Sequence, residues 1–244
     1  MIPLRDLNPS RNTPWVTWGT MLLCVVVWVF QLVQPAQAQL EIMRNFALVP
    51  TRVTAMFTEG FDGGAFASIF TSMFMHASGL IGGILHLGGN MWFLRIFGDN
   101  VEDNFGSARY ALFYLLCGVG AACAQVAIDP YSTIPMVGAS GAIAGVLGAY
   151  LVLYPRARVV TLLPLVIFFT IVELPAFVVI AVWIVLQFLP VIASEGGQAG
   201  GGVAYWAHIG GFISGLALAF VFRKKPPAPL APARPRWDPD ADWR

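Results

Sequence analysis

Four polar side chains stand inside otherwise apolar runs of this 244-residue chain: His86, Asn90, Ser140 and His208. A serine hydroxyl is a weak nucleophile until a base takes its proton, and imidazole is the usual base near neutral pH. Ser140 lies in Gly138-Ala139-Ser140-Gly141, where glycines allow a sharp entry into a helix. The first N–H groups of that helix have no intrahelical partner and can stabilise an oxyanion. His86 and Asn90 are four residues apart, on one helical face, and both can donate to the same developing charge. Gly141 and Gly145 are spaced as G-xxx-G, and so are Gly211 and Gly215. That spacing lets membrane helices pack backbone to backbone. Ser140 precedes the first pair and His208 the second, so packing those faces would bring hydroxyl and imidazole within reach.

The elements that must position these groups are membrane helices. The chain is 57% hydrophobic and 11% charged, with mean hydropathy +0.71, against the roughly 25% charged residues of ordinary soluble domains. This excludes a disordered chain and a nucleic-acid binder, and argues against an ordinary soluble enzyme. The apolar runs predict an all-α, polytopic bundle of six transmembrane helices. They run from about Trp15 to Gln34, Ile81 to Phe97, Tyr110 to Ile128, Ser140 to Tyr154, Ala176 to Ile192 and Tyr205 to Phe222. Residues 1–14 form an N-terminal segment, 15–222 the membrane domain, and 223–244 a Pro- and Ala-rich tail expected to be disordered. Residues 35–80 make a long external loop, and residues 195–202 a glycine-rich one.

Two segments admit other readings. Val159–Val172 is apolar enough for a seventh span, but Pro164 and Glu173–Pro175 interrupt it, which favours a half-buried interfacial connection. The first run resembles a signal peptide, with Arg5 and Arg11 before it and Ala36-Gln37-Ala38 after it. At about 20 residues it exceeds the usual h-region, which favours a retained span. Six spans put both termini on one side, and twelve of the fourteen basic residues then fall on that side. Only Arg44 and Arg52 do not, so both termini are expected to be cytoplasmic.

Helix rise of ~1.5 Å per residue places the four polar groups at matching depth. Ser140 lies about 24 Å from Arg156, His208 about 22 Å from Arg223, and His86 about 20 Å from Asp99, with Asn90 one turn lower. In a ~30 Å hydrocarbon core all four sit below the outer surface at one level. Polar groups there are costly and mark function. A metal site from His76, His86 and His208 lacks an acidic or thiolate partner at that depth. Cys24, Cys117 and Cys123 sit in apolar runs without a CxxC pair, and read as packing residues rather than nucleophiles or a disulfide framework. A transporter would carry deep acidic residues, for which Glu173 is the one candidate, or broken helices recurring in two halves, which the sequence does not show.

At these residues the sequence resembles the rhomboid family of intramembrane serine proteases. The resemblance rests on Gly138-Ala139-Ser140-Gly141, Ala207-His208-Ile209-Gly210-Gly211 continuing to Gly215, His86 with Asn90, and Gly98-Asp99-Asn100-Val101-Glu102-Asp103. It implies Ser140 as nucleophile and His208 as general base and acid, a dyad without the acidic third residue of the serine-protease triad. It implies an oxyanion hole of His86, Asn90 and the Ser140 N–H, and a structural role for Glu102 in tying down the second connection. Substrates would be single-span membrane proteins in the lipid bilayer, cleaved through an acyl-enzyme with no cofactor and no metal. The 195–202 loop would cap the site and the fifth span would be a lateral gate. The resemblance further implies a bacterial plasma membrane. The alternative function is an inactive relative that binds membrane clients. Two departures stand out: an insertion separates His76 from His86, and Ala144 stands where many relatives place an aromatic against the catalytic imidazole.

Overall fold

The computed structural model describes residues 1–165, 168–193 and 204–224. Helices dominate. Strand β1 (Ile2–Asp6) leads into α1 (Trp15–Leu32), and three short helices follow: α2 (Ala36–Phe46), α3 (Pro50–Ala55) and α4 (Gly63–Thr71). Then come α5 (Leu80–Phe105), α6 (Ser107–Ile128), α7 (Ser140–Leu153), strands β2 (Arg158–Leu165) and β3 (Phe168–Pro175), α8 (Ala176–Ala193) and α9 (Tyr205–Phe222). Among the described residues, α1, α5, α6 and α9 are long and apolar enough to cross a membrane, while α7 is a shorter apolar helix.

These helices are inside-out relative to soluble ones. On α1 the buried stripe is Thr17, Thr20, Cys24, Trp28 and Gln31, at the three-to-four spacing of one helical face. Trp18, Leu22, Val26 and Phe30 point outward. With lipid outside, apolar groups lose nothing by exposure, and small or polar side chains collect where helices meet. Helix α7 is central: eleven of its fourteen residues are buried.

The expectation of an all-helical chain needs one correction. β1, β2 and β3 form an antiparallel sheet in that order, beyond the C-terminal end of α7. The apolar stretch around Val159–Val172 is therefore not a seventh helical span but a hairpin, Arg158 pairing with Pro175 and Leu165 with Phe168. Its prolines are compatible with a sheet because of where they fall. β1 pairs with β2 only between Val159 and Leu162, so Pro164 lies past the last rung on that side. The N-terminal segment 1–14 is likewise partly ordered: Trp92 Nε1 donates to the Pro3 carbonyl at 2.6 Å, and Tyr150 donates to Asp6 Oδ2 at 2.6 Å.

Two other expectations change. The second span continues past Phe97 to Phe105, because the polar residues after it stay helical until Gly106, whose φ of +79° ends the helix. On those added turns, buried Glu102 accepts from the Val16 and Thr17 backbone N–H groups at 3.0 and 2.8 Å, from Thr17 Oγ1 at 2.8 Å and from Ser107 Oγ at 2.7 Å. One carboxylate thus caps the start of α1 and fastens the α5–α6 connection. The 35–80 segment is not a bare loop. It holds α2, α3 and α4, the last capped by Asp62, whose Oδ1 accepts from Gly64 and Ala65 N–H at 2.8 and 3.1 Å. The proposed cap at 195–202 and the tail from 225 lie outside the described residues.

Candidate active site

Helices α7 and α9 approach until their backbones touch. A methyl group on Gly211 would overlap the Gly141 carbonyl oxygen, and one on Gly215 the Gly145 carbonyl oxygen. A Cβ on Gly148 would come within 2.5 Å of the Phe212 carbonyl oxygen. Both G-xxx-G pairs face one another in this seam, as their spacing predicts.

The seam carries Ser140 and His208 into contact. His208 Nε2 lies 2.7 Å from Ser140 Oγ. Ser140 is the first residue of α7 and His208 lies in the first turn of α9, so both project at one end of the bundle. Gly138 makes the entry. Its φ is +129°, a region closed to most side chains, and a Cβ there would sit 2.8 Å from His86 Nε2 and 3.5 Å from Ser140 Oγ. His86 therefore overlies Gly138 beside the nucleophile. One turn further, Asn90 is buried with its Nδ2 donor unpartnered among the described residues. A buried donor without an acceptor is uncommon and calls for a reason.

Ser140, His208 and His86 thus come together at the N-terminal ends of α7 and α9, with Asn90 one turn further along α5. Of the five other expected residues, Gly138 stands in the backbone turn, Gly141, Gly211 and Gly215 in the seam, and Glu102 at the far end. His76 is fully buried, its ring 5.2 Å from that of His86. Burial and then the neighbouring His86 push its imidazole down to about 3, which keeps it neutral. No group of three or more metal-ligating side chains occurs among the described residues.

One residue was not anticipated. Gln187 of α8 places Oε1 2.7 Å from His208 Nδ1. The Trp183 and Tyr205 rings flank the same imidazole at 5.9 and 6.4 Å between centroids. Ala144 is fully buried, and the rings beside the imidazole come from α8 and α9 rather than from α7. Gln187 had a signal: it is a polar residue in an apolar run, about 17 Å along α8 from Ala176.

A helical membrane protein with a Ser–His pair in its glycine seam is the class that fold and site define. Residues 63–225 match the family model described as Rhomboid domain. That is more than half of the chain, and the chain belongs to the rhomboid family, as an integral membrane protein. It is 36% identical over 154 residues to RHOMBOID-like protein 4 of Arabidopsis thaliana, covering 60% of this chain and 33% of that one. It is 30% identical over 165 residues to RHOMBOID-like protein 6, mitochondrial, of the same plant, covering 65% and 44%. Over a shorter stretch of 69 residues it is 45% identical to Rhomboid protease GluP of Bacillus subtilis, covering 28% and 13%. The chain therefore spans less than half the length of these relatives.

Proposed function

We propose that this protein is an intramembrane serine endopeptidase that cleaves transmembrane segments of single-span membrane proteins. The observation that carries the reading is the 2.7 Å contact between Ser140 Oγ and His208 Nε2 at the N-terminus of a buried helix. His208 takes the Ser140 proton as Oγ attacks the scissile carbonyl carbon. The tetrahedral oxyanion is held by the Ser140 N–H, His86 and Asn90 Nδ2. Collapse breaks the C–N bond, and His208 Nε2–H protonates the leaving amine. Water then hydrolyses the acyl-enzyme by the same route in reverse roles. No metal or cofactor has a part in these steps.

The reading includes six spans, α1, α5, α6, α7, α8 and α9, with both termini cytoplasmic in a bacterial plasma membrane. The basic-residue distribution supports that orientation, and the site then lies toward the outer face. The sheet lies on the cytoplasmic side.

The test is cleavage of a single-span reporter in liposomes by the parent, Ser140→Ala and His208→Ala. Each variant is expected to lose at least ~10⁴-fold in rate while keeping the parent's unfolding midpoint. An active-site-directed fluorophosphonate should label the parent and not Ser140→Ala. A parent that neither cleaves nor labels would sink the reading and leave the client-binding alternative.

A further inference from the structure

A Ser–His pair has an orientation problem that contact alone does not solve. Imidazole is a base toward Ser140 only if Nε2 carries a lone pair, which requires the neutral ring to hold its proton on Nδ1. In a triad an acidic residue fixes that tautomer, and no Asp or Glu occurs within Ser140–Leu153 or Tyr205–Phe222. We propose, resting on the protease reading above, that Gln187 is the positioning residue that fixes it.

The hydrogen bonds around Gln187 run in one direction. Its Nε2 donates to the Trp183 carbonyl oxygen one turn back at 3.3 Å. That anchors the amide nitrogen and leaves Oε1 facing His208. A carboxamide oxygen only accepts, so the 2.7 Å contact to His208 Nδ1 requires Nδ1–H. Nε2 is then the acceptor for the Ser140 hydroxyl at 2.7 Å. When Nε2 gains the proton, the Nδ1–H donor becomes part of a cation, and its bond to Gln187 strengthens. The amide therefore supports both states of the base. The flanking Trp183 and Tyr205 rings limit where the imidazole lies, but a ring face cannot choose between its nitrogens.

A merely structural Gln187 would tie α8 to α9 and leave the tautomer alone, and the two roles separate experimentally. The protein contains three histidines, so 15N-labelled imidazoles can be assigned in detergent with His208→Ala as the blank. The parent is expected to show His208 as the Nδ1–H tautomer. Gln187→Leu is expected to shift His208 toward the Nε2–H form and to lower kcat by roughly 10²-fold with KM within about 2-fold. Gln187→Glu, which keeps an acceptor, is expected to retain the Nδ1–H tautomer, recover most of kcat and move the acid limb of the pH–rate profile upward. An unchanged His208 tautomer in Gln187→Leu would overturn the proposal, whatever the rate. Equal loss of kcat in the Leu and Glu variants with matching unfolding midpoints would overturn it as well. If the parent neither cleaves nor labels, the protease reading falls on its own, while the tautomer measurement still decides what Gln187 does to His208.

Discussion

Helices α7 and α8 both lie against α9, and they are held there by different means. The α7–α9 seam is backbone against backbone, with Gly141, Gly145 and Gly148 facing Gly211, Gly215 and Phe212. At these glycines the facing atoms are backbone carbonyls, which cannot turn aside as a side chain can. The α8 attachment is made of side chains: Gln187 on His208, and Trp183 on Phe93 of α5 with ring centroids 6.2 Å apart. Phe177, Val182, Val185, Leu186 and Leu189 of α8 face outward. The difference teaches where rigidity is placed. Ser140 and His208 sit on the pair of helices whose backbones touch, and α8 reaches the same imidazole through the side chain of Gln187.

The sharpest way to break this contrast is to add one side chain to the seam. Gly211→Val drives two methyl groups into the Gly141 carbonyl, and the backbones must part. Overpacking costs typically 1–3 kcal/mol, and with backbone on the other side the expected loss is at or above ~3 kcal/mol. Thermal unfolding in detergent should show it, together with lost fluorophosphonate labelling.

A middle-sized effect is expected at the far end of α7. Burial, against the Tyr150 hydrogen bond, raises the Asp6 carboxyl to about 7, and Asp99 nearby adds to the rise. A carboxyl that holds its proton more tightly when folded stabilises the fold at low pH. That stability drains as pH rises from about 4 toward 7 and is level above. The expected decline across this window exceeds ~1 kcal/mol, and Asp6→Asn should flatten it. Denaturant midpoints at pH 4.5, 6 and 8 decide the point, and a parent profile that rises with pH would contradict it.

The smallest effect is expected on the lipid side of α8. Val185 is 54% exposed, and Val185→Ala should change stability by less than ~0.5 kcal/mol. A larger loss would mean that α8 is packed as firmly as α7.

Much of this was readable before any coordinates. The starts of α1, α7, α8 and α9 follow from where apolar runs begin, since a membrane penalises charge steeply. Ser140, His86, Asn90 and His208 were identified by type and depth. Gln187 escaped because α8 runs opposite to the helices bearing those four, so its depth is counted from the other edge. The sheet was not legible for another reason. β1 has five residues, and Ile2 pairs with Leu162; no local pattern announces a partner that far along the chain. Val159–Val172 is apolar without alternation, which fits a buried strand and an interfacial segment equally. The short helices within 35–80 have too few turns for a clear period.

The β1–β2 pairing also orders events during synthesis. Ile2–Asp6 is made before its partner Val159–Leu162, which follows roughly 8–30 s later at ~5–20 residues per second. Until then β1 lacks its strand partner. Trp92 and Tyr150, the partners of Pro3 and Asp6, also follow β1 in the chain. Closing the sheet therefore waits until α7 has been made, and the Tyr150–Asp6 hydrogen bond joins β1 to the helix that carries Ser140.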